Sequence, residues 1–107
     1  MTREHEHTFG LKIANDKLNA KTLYCIRKAT GLSLSDIKQK ISDNDYLMLI
    51  VAGDTEGIQN INKLRNELTN FNVAIRLYQD DKEKSSEYFD NIEQTWIDIK
   101  KESEEHF

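Results

Sequence analysis

The sequence predicts an α+β fold: a three-stranded antiparallel sheet in the element order β-α-α-β-α-β, with an added C-terminal helix. Three segments show the alternating or unbroken apolar pattern of strands, and apolar residues recur at helical spacing between and after them. The 107 residues, 37% of them hydrophobic and 32% charged, suffice for one core, so residues 1–107 are expected to form a single domain. An antiparallel sheet is the simpler closure for this order of elements.

The first strand is predicted over residues 8–13, because its apolar side chains alternate with smaller or polar ones. Asp16 or Asn19 is a suitable N-cap for the first helix, which is expected over residues 20–30. Gly31 then suits the position after a helix where the backbone adopts a left-handed conformation.

Three further elements follow along the chain. An apolar stripe at positions 34, 37 and 41 predicts a second short helix over residues 33–42. Residues 46–52 form a continuous apolar run, which predicts a strand that is covered on both faces. Asp54 or Thr55 is expected to cap a third helix, which covers residues 56–70.

The last part of the chain begins with a third strand, predicted by alternation over residues 73–78. An acidic connection, residues 79–83, leads to a final helix over residues 85–102. Its apolar face consists of Phe89, Ile92, Trp96 and Ile99. We expect Trp96 to anchor this helix on the sheet face opposite to the first three helices, which would explain the apolar run at 46–52.

The charges are segregated along the chain, although the net charge is only −4. Residues 17–40 contain six basic residues and one acidic residue, whereas residues 80–107 contain ten acidic residues and four lysines. The basic residues of the first stretch are Lys17, Lys21, Arg27, Lys28, Lys38 and Lys40. Such charges are often only a solvated helix face, but they also suit docking to an acidic protein surface. The acidic tail could also fold over the basic face and mask it.

Nucleic acid is not the expected partner, since the sequence pI of about 5.3 lacks the basic character of most nucleic-acid-binding domains. A membrane is not expected either, because the longest apolar run has seven residues and the N-terminus does not have the pattern of a signal peptide. A cytoplasmic location is therefore the default expectation.

No residue pattern indicates an enzyme, a cofactor or a metal site. Cys25 is the single cysteine, so an internal disulfide is not possible. We expect its side chain to be a small buried hydrophobe. The histidines stand at positions 5, 7 and 106, where no catalytic set with a serine or cysteine can be assembled. Residues 53–57 have two glycines before a helix but lack the lysine of a phosphate loop, which favours a turn with an N-cap.

Residues 27–38, Arg-Lys-Ala-Thr-Gly-Leu-Ser-Leu-Ser-Asp-Ile-Lys, resemble a signature of the C-terminal domain of the bacterial large-subunit ribosomal stalk protein. The signature has Arg, a variable residue, Ala-Thr-Gly-Leu, and then Leu, an acidic residue and Lys at alternate positions. Every fixed position is matched, with Asp36 as the acidic one. The order of elements also matches over about residues 9–79, and residues 80–107 are an acidic addition.

This resemblance implies three antiparallel strands under three helices and a role in recruiting translational GTPases through the first two helices. The contact residues of that family carry over as Arg27 and Lys38, and Lys21 corresponds only loosely. The same fold also serves a protease adaptor, so the resemblance leaves the partner open.

Two functional hypotheses follow from these observations. The first is a non-catalytic protein-binding module, a monomer or weak dimer, that uses a basic face on the first two helices. Its predicted binding residues are Lys21, Arg27, Lys28 and Lys38. The second is a small acidic immunity protein that neutralises a cognate bacterial toxin through its acidic final helix.

Overall fold

The computed structural model describes residues 6–14 and 18–105, which form four helices and one four-stranded antiparallel sheet. The strands are β1 (Thr8–Ile13), β2 (Met48–Val51), β3 (Ile75–Gln79) and β4 (Lys82–Lys84). The helices are α1 (Ala20–Thr30), α2 (Leu34–Ser42), α3 (Thr55–Asn70) and α4 (Ser86–Glu105). The order across the sheet is β2-β1-β3-β4. The predicted α+β class is confirmed, but the sheet has one strand more than predicted.

The helix pair α1–α2 forms through local capping contacts. The Asn19 side chain accepts a hydrogen bond from the backbone N–H of Thr22 at 2.8 Å, and Ser33 accepts one from Asp36 at 3.1 Å. Gly31 separates the two helices with a φ of 77°, a left-handed conformation that glycine adopts without a Cβ penalty. The predicted N-cap at Asn19 and the glycine kink are confirmed. The other N-cap candidate, Asp16, and the basic Lys17 lie outside the described residues.

The additional strand β4 follows β3 after a two-residue turn. Asp80 and Asp81 occupy that turn with φ values of 53° and 68°, as hairpin turns of the mirror-image type require. The Asp80 carboxylate accepts hydrogen bonds from the Thr8 backbone N–H at 2.9 Å and the His7 ring at 2.7 Å, and these bonds lower its pKa. The prediction of a plain acidic connection was wrong because β4 has only three residues, all charged, and no apolar alternation.

Strand β2 is shorter than predicted and lies at an edge of the sheet. Leu49 and Val51 are 54% and 42% exposed, so the expectation that this strand is covered on both faces was wrong. The apolar run has two different environments. Leu47, just before the strand, is buried in the core, whereas alternate side chains within the strand face solvent. An edge strand of an antiparallel sheet tolerates this exposure on its open face.

All four helices cover the same face of the sheet. Phe9 projects from β1 into the helical layer, where its ring packs edge-on against Phe89 at 5.8 Å and Trp96 at 5.1 Å between centroids. Trp96 therefore anchors α4 to the sheet as predicted, but on the same face as the other helices and not on the opposite one. The most deeply buried core residues are Leu11, Ile26, Ile37, Ile58, Ile61, Leu64, Leu68, Leu77 and Phe89.

A buried polar cluster joins α4 to α3. Arg65 has a side chain only 6% exposed, and its guanidinium donates hydrogen bonds to Asp90 and to Asn62, both at 2.9 Å. Asn62 in turn donates to the Glu93 carboxylate at 2.7 Å and to the Phe89 carbonyl at 3.2 Å. These contacts place α4 along one flank of α3.

The other face of the sheet has no helix over it among the described residues. The Tyr46 ring lies over Gly10, and the ammonium of Lys12 lies 4.7 Å from the ring of Tyr46 and 4.9 Å from that of Tyr78. The Tyr46 hydroxyl donates to the Asp81 carboxylate at 2.6 Å, and burial together with this bond raises the pKa of the phenol. Tyr46 thus covers the strand position that lacks a side chain.

We predict that Gly10→Ala lowers the free energy of unfolding by about 1–3 kcal/mol, the usual cost of overpacking. A Cβ at this position would overlap the Tyr46 ring, which therefore has to move. In a double-mutant cycle measured by urea unfolding, adding Tyr46→Ala should cost less in the Gly10→Ala background than in the wild type. Additive effects of the two substitutions would contradict the close approach.

Candidate protein-binding site

The four predicted binding residues are exposed, and the structure divides them into two pairs. Lys21 and Lys28 are seven residues apart on α1, so they share one side of the helix and line a groove. Arg27 directly follows the buried Ile26, and Lys38 of α2 directly follows the buried Ile37; neither lines this groove. The groove is therefore a feature that the sequence prediction did not contain.

The groove lies between α1 and α3 and has a volume of about 670 Å³. Residues three or four apart on each helix face it, since such residues lie on one side of a helix. On α1 these residues include Lys21, Tyr24 and Lys28, and on α3 they include Lys63 and Glu67. Phe71, directly after α3, closes one end. The sequence prediction missed Lys63 because no spacing along the chain relates this residue to α1.

Two aromatic side chains are exposed in this groove. Tyr24 is 64% exposed and Phe71 is 37% exposed, although the transfer of aromatic rings out of water is favourable. The Lys21 ammonium lies 5.7 Å from the centre of the Phe71 ring. Exposed aromatic residues beside basic ones are typical of the anchor points of protein interfaces.

The electrostatic character of the groove is positive. Lys21, Lys28 and Lys63 contribute three cationic groups, and Glu67 is the only acidic residue in the lining that the structure gives. The Glu67 carboxylate accepts a hydrogen bond from the Cys25 thiol at 3.4 Å. Burial, followed by the contact with Glu67, raises the pKa of Cys25, so the thiol is protonated at neutral pH. Cys25 was expected to be buried, but it is only half-buried.

Helix α4 does not cover this groove. It contacts the side of α3 that presents Asn62 and Arg65, whereas Lys63 and Glu67 face α1. The possibility that the acidic tail masks the basic helices is therefore wrong for the described structure. Helix α4, with seven acidic and two basic residues, forms a separate acidic flank.

The other sites considered from the sequence do not line this groove in the described part of the chain. His7 pairs with Asp80, while His5 and His106 lie outside the described residues. The Asp54 side chain caps α3 by accepting from the Gly57 backbone at 2.9 Å, which confirms the predicted turn and N-cap. Within residues 6–14 and 18–105, no three metal-ligating side chains come together.

No helix among the described residues combines the length and apolar character needed to cross a bilayer. Comparison of the chain with protein families, with curated proteins and with solved structures finds no match. The stalk-protein resemblance of residues 27–38 accordingly stays a prediction from the sequence.

We predict that Cys25 responds to its two charged neighbours in opposite directions. Glu67→Gln removes an anion that raises the thiol pKa, so the midpoint of alkylation should move to lower pH. Lys28→Gln removes a cation that lowers this pKa, so the midpoint should move to higher pH. The measurement is the rate of iodoacetamide alkylation as a function of pH, with the limiting rate at high pH as the control for accessibility. Shifts of the same sign in both variants would contradict the described arrangement.

Proposed function

We propose that this chain is a non-catalytic protein-binding module that docks its partner on α1 and α2 and in the adjoining groove. The observation that carries the proposal is the pair of exposed aromatic residues, Tyr24 and Phe71, between the cationic Lys21, Lys28 and Lys63. A folded chain gains nothing in stability from this exposure, whereas a partner that covers the rings removes them from water.

The groove chemistry defines the partner surface. An acidic segment with an apolar side chain fits, because the lysines attract carboxylates and the aromatic rings accept the apolar group. Opposite charges guide the approach and the orientation of the two proteins more than they add to the final affinity. Burial of the aromatic rings is the expected source of the affinity itself.

The class of partner is inferred from residues 27–38. Their resemblance to the ribosomal stalk domain supports a translational GTPase, which would contact Arg27 and Lys38. The caps at Asn19 and Ser33 and the left-handed Gly31 hold the two helices in a bent arrangement, which resembles the two short helices expected of that domain.

We predict that purified bacterial translational GTPases bind this protein and that Arg27→Glu/Lys38→Glu weakens binding at least about tenfold. A tenfold loss corresponds to about 1.4 kcal/mol, which the reversal of two contact charges readily supplies. Lys21→Glu/Lys28→Glu should have a similar effect through the groove. The measurement is fluorescence anisotropy of the labelled protein at two salt concentrations, and high salt should weaken binding because it screens the charges.

The matched control is Lys100→Glu/Lys101→Glu, which makes the same change of net charge on α4. Both lysines are exposed on α4, which contacts α3 and the Phe9 ring of β1, so this variant should bind within about twofold of the wild type. An equal loss of affinity in the control and the test variants, or no binding to any translational GTPase, would contradict the assignment of a translational GTPase as the partner.

A second candidate function rests on the acidic flank. Glu87, Asp98, Glu102 and Glu104 of α4 are exposed, and no basic helix pairs with them in the described structure. An immunity protein that blocks a basic toxin surface would use this flank. In that case co-expression should protect cells against a toxin encoded beside this gene, and Glu102→Lys/Glu104→Lys should abolish protection while Arg27→Glu/Lys38→Glu leaves it intact.

A further inference from the structure

The two edges of the sheet differ in chemistry. At one edge, β4 has only three residues, Lys82-Glu83-Lys84, and all are charged. Short length and charge are the usual means by which proteins prevent a sheet edge from pairing with another strand. At the other edge, β2 reads Met48-Leu49-Ile50-Val51, with no charge and no proline. The β2 edge, four residues long, therefore lacks the protection that charge provides.

The backbone groups that point outward at this edge can be identified from hydrogen bonds. The Thr8 carbonyl accepts from the Asp80 N–H at 3.0 Å, and the Thr8 N–H donates to the Asp80 carboxylate, so the Thr8 backbone faces β3. Val51 is paired with Thr8, and its N–H must therefore point away from β1. Because the pattern repeats every two residues, the N–H and carbonyl of Leu49 also point outward.

The side chains of the same two residues are the exposed ones. Leu49 and Val51 are 54% and 42% exposed on the open face of the sheet, directly beside the outward-pointing backbone groups. An added strand would thus satisfy the backbone and cover apolar side chains at once.

We propose that β2 pairs antiparallel with β2 of a second copy of this chain, about a twofold axis at Ile50. In this register Leu49 exchanges hydrogen bonds with Val51 of the second copy, and Val51 with Leu49 of the second copy. The Val51 carbonyl already accepts from the Asp54 N–H at 3.2 Å, and its other lone pair accepts the new bond. The result is one eight-stranded sheet with all helices on one side.

The second copy is the occupant because the strand is complementary to itself. Within Met48–Val51 the twofold axis places every outward donor opposite an outward acceptor and apolar side chains opposite apolar ones. No charged residue of β2 meets its own like charge, which is the usual obstacle to a symmetric contact. In this register only Leu49 to Val51 pair on each side. Since three residues a side bury little area, the dimer forms only as the protein concentration rises.

The test is sedimentation equilibrium over a range of concentrations. The wild type should rise from the monomer mass of 12.5 kDa towards twice that value. Leu49→Lys should weaken self-association at least about tenfold, because it removes two symmetry-related apolar pairs and introduces two charges. The matched control is Tyr24→Lys, the same charge change at an exposed residue of the groove, and it should leave self-association unchanged.

Hydrogen exchange locates the contact within the strand. The amides of Leu49 and Val51 should become protected as the protein concentration rises, whereas that of Ile50, already bonded to β1, should not change. A wild type that stays monomeric, or a dimer in which these two amides exchange at the same rate at all concentrations, overturns the proposal. Neither result bears on the groove of α1 and α3, which the binding experiments with Lys21 and Arg27 test separately.

Discussion

The position of α4 depends on the buried guanidinium of Arg65. Its hydrogen bonds to Asn62 and Asp90 hold one flank of α3 against α4, and Asn62 continues the cluster to the Phe89 carbonyl. The Asp90 side chain is 54% exposed, so solvent screens the ion pair, and the hydrogen bonds provide the directionality. Leaving a buried polar group without its partner costs roughly 1–3 kcal/mol. Alternative placements of α4 that separate these groups are thereby disfavoured.

Two consequences follow from this placement. Phe89 and Trp96 meet Phe9, so the aromatic cluster closes the core on the helical side of the sheet. With α4 in the helical layer, no helix of the described structure covers the opposite face of the sheet. On that face the Tyr46 side chain lies over Gly10. The open face thus follows from the placement of α4, whereas the exposed edge at β2 follows from the strand order.

The same arrangement keeps the charges apart. Helix α3 lies between the basic α1 and the acidic α4, presenting Lys63 to one and Arg65 to the other. In the described structure the acidic residues of α4 therefore do not neutralise the groove lysines.

The sequence by itself determined the elements whose contacts are local. The cap at Asn19, one of two candidates, the glycine kink and the alternation of β1 each depend on residues only a few positions apart, so their patterns are visible in the sequence. The tertiary structure alone decided which face α4 covers, that β2 is an edge and that Lys63 completes the groove. Those outcomes depend on contacts between distant segments, such as Arg65 with Asp90. The spacing of residues along the chain does not predict which distant segments come into contact. The short strand β4 belongs to this second group, because pairing with β3 and not apolar periodicity makes it a strand.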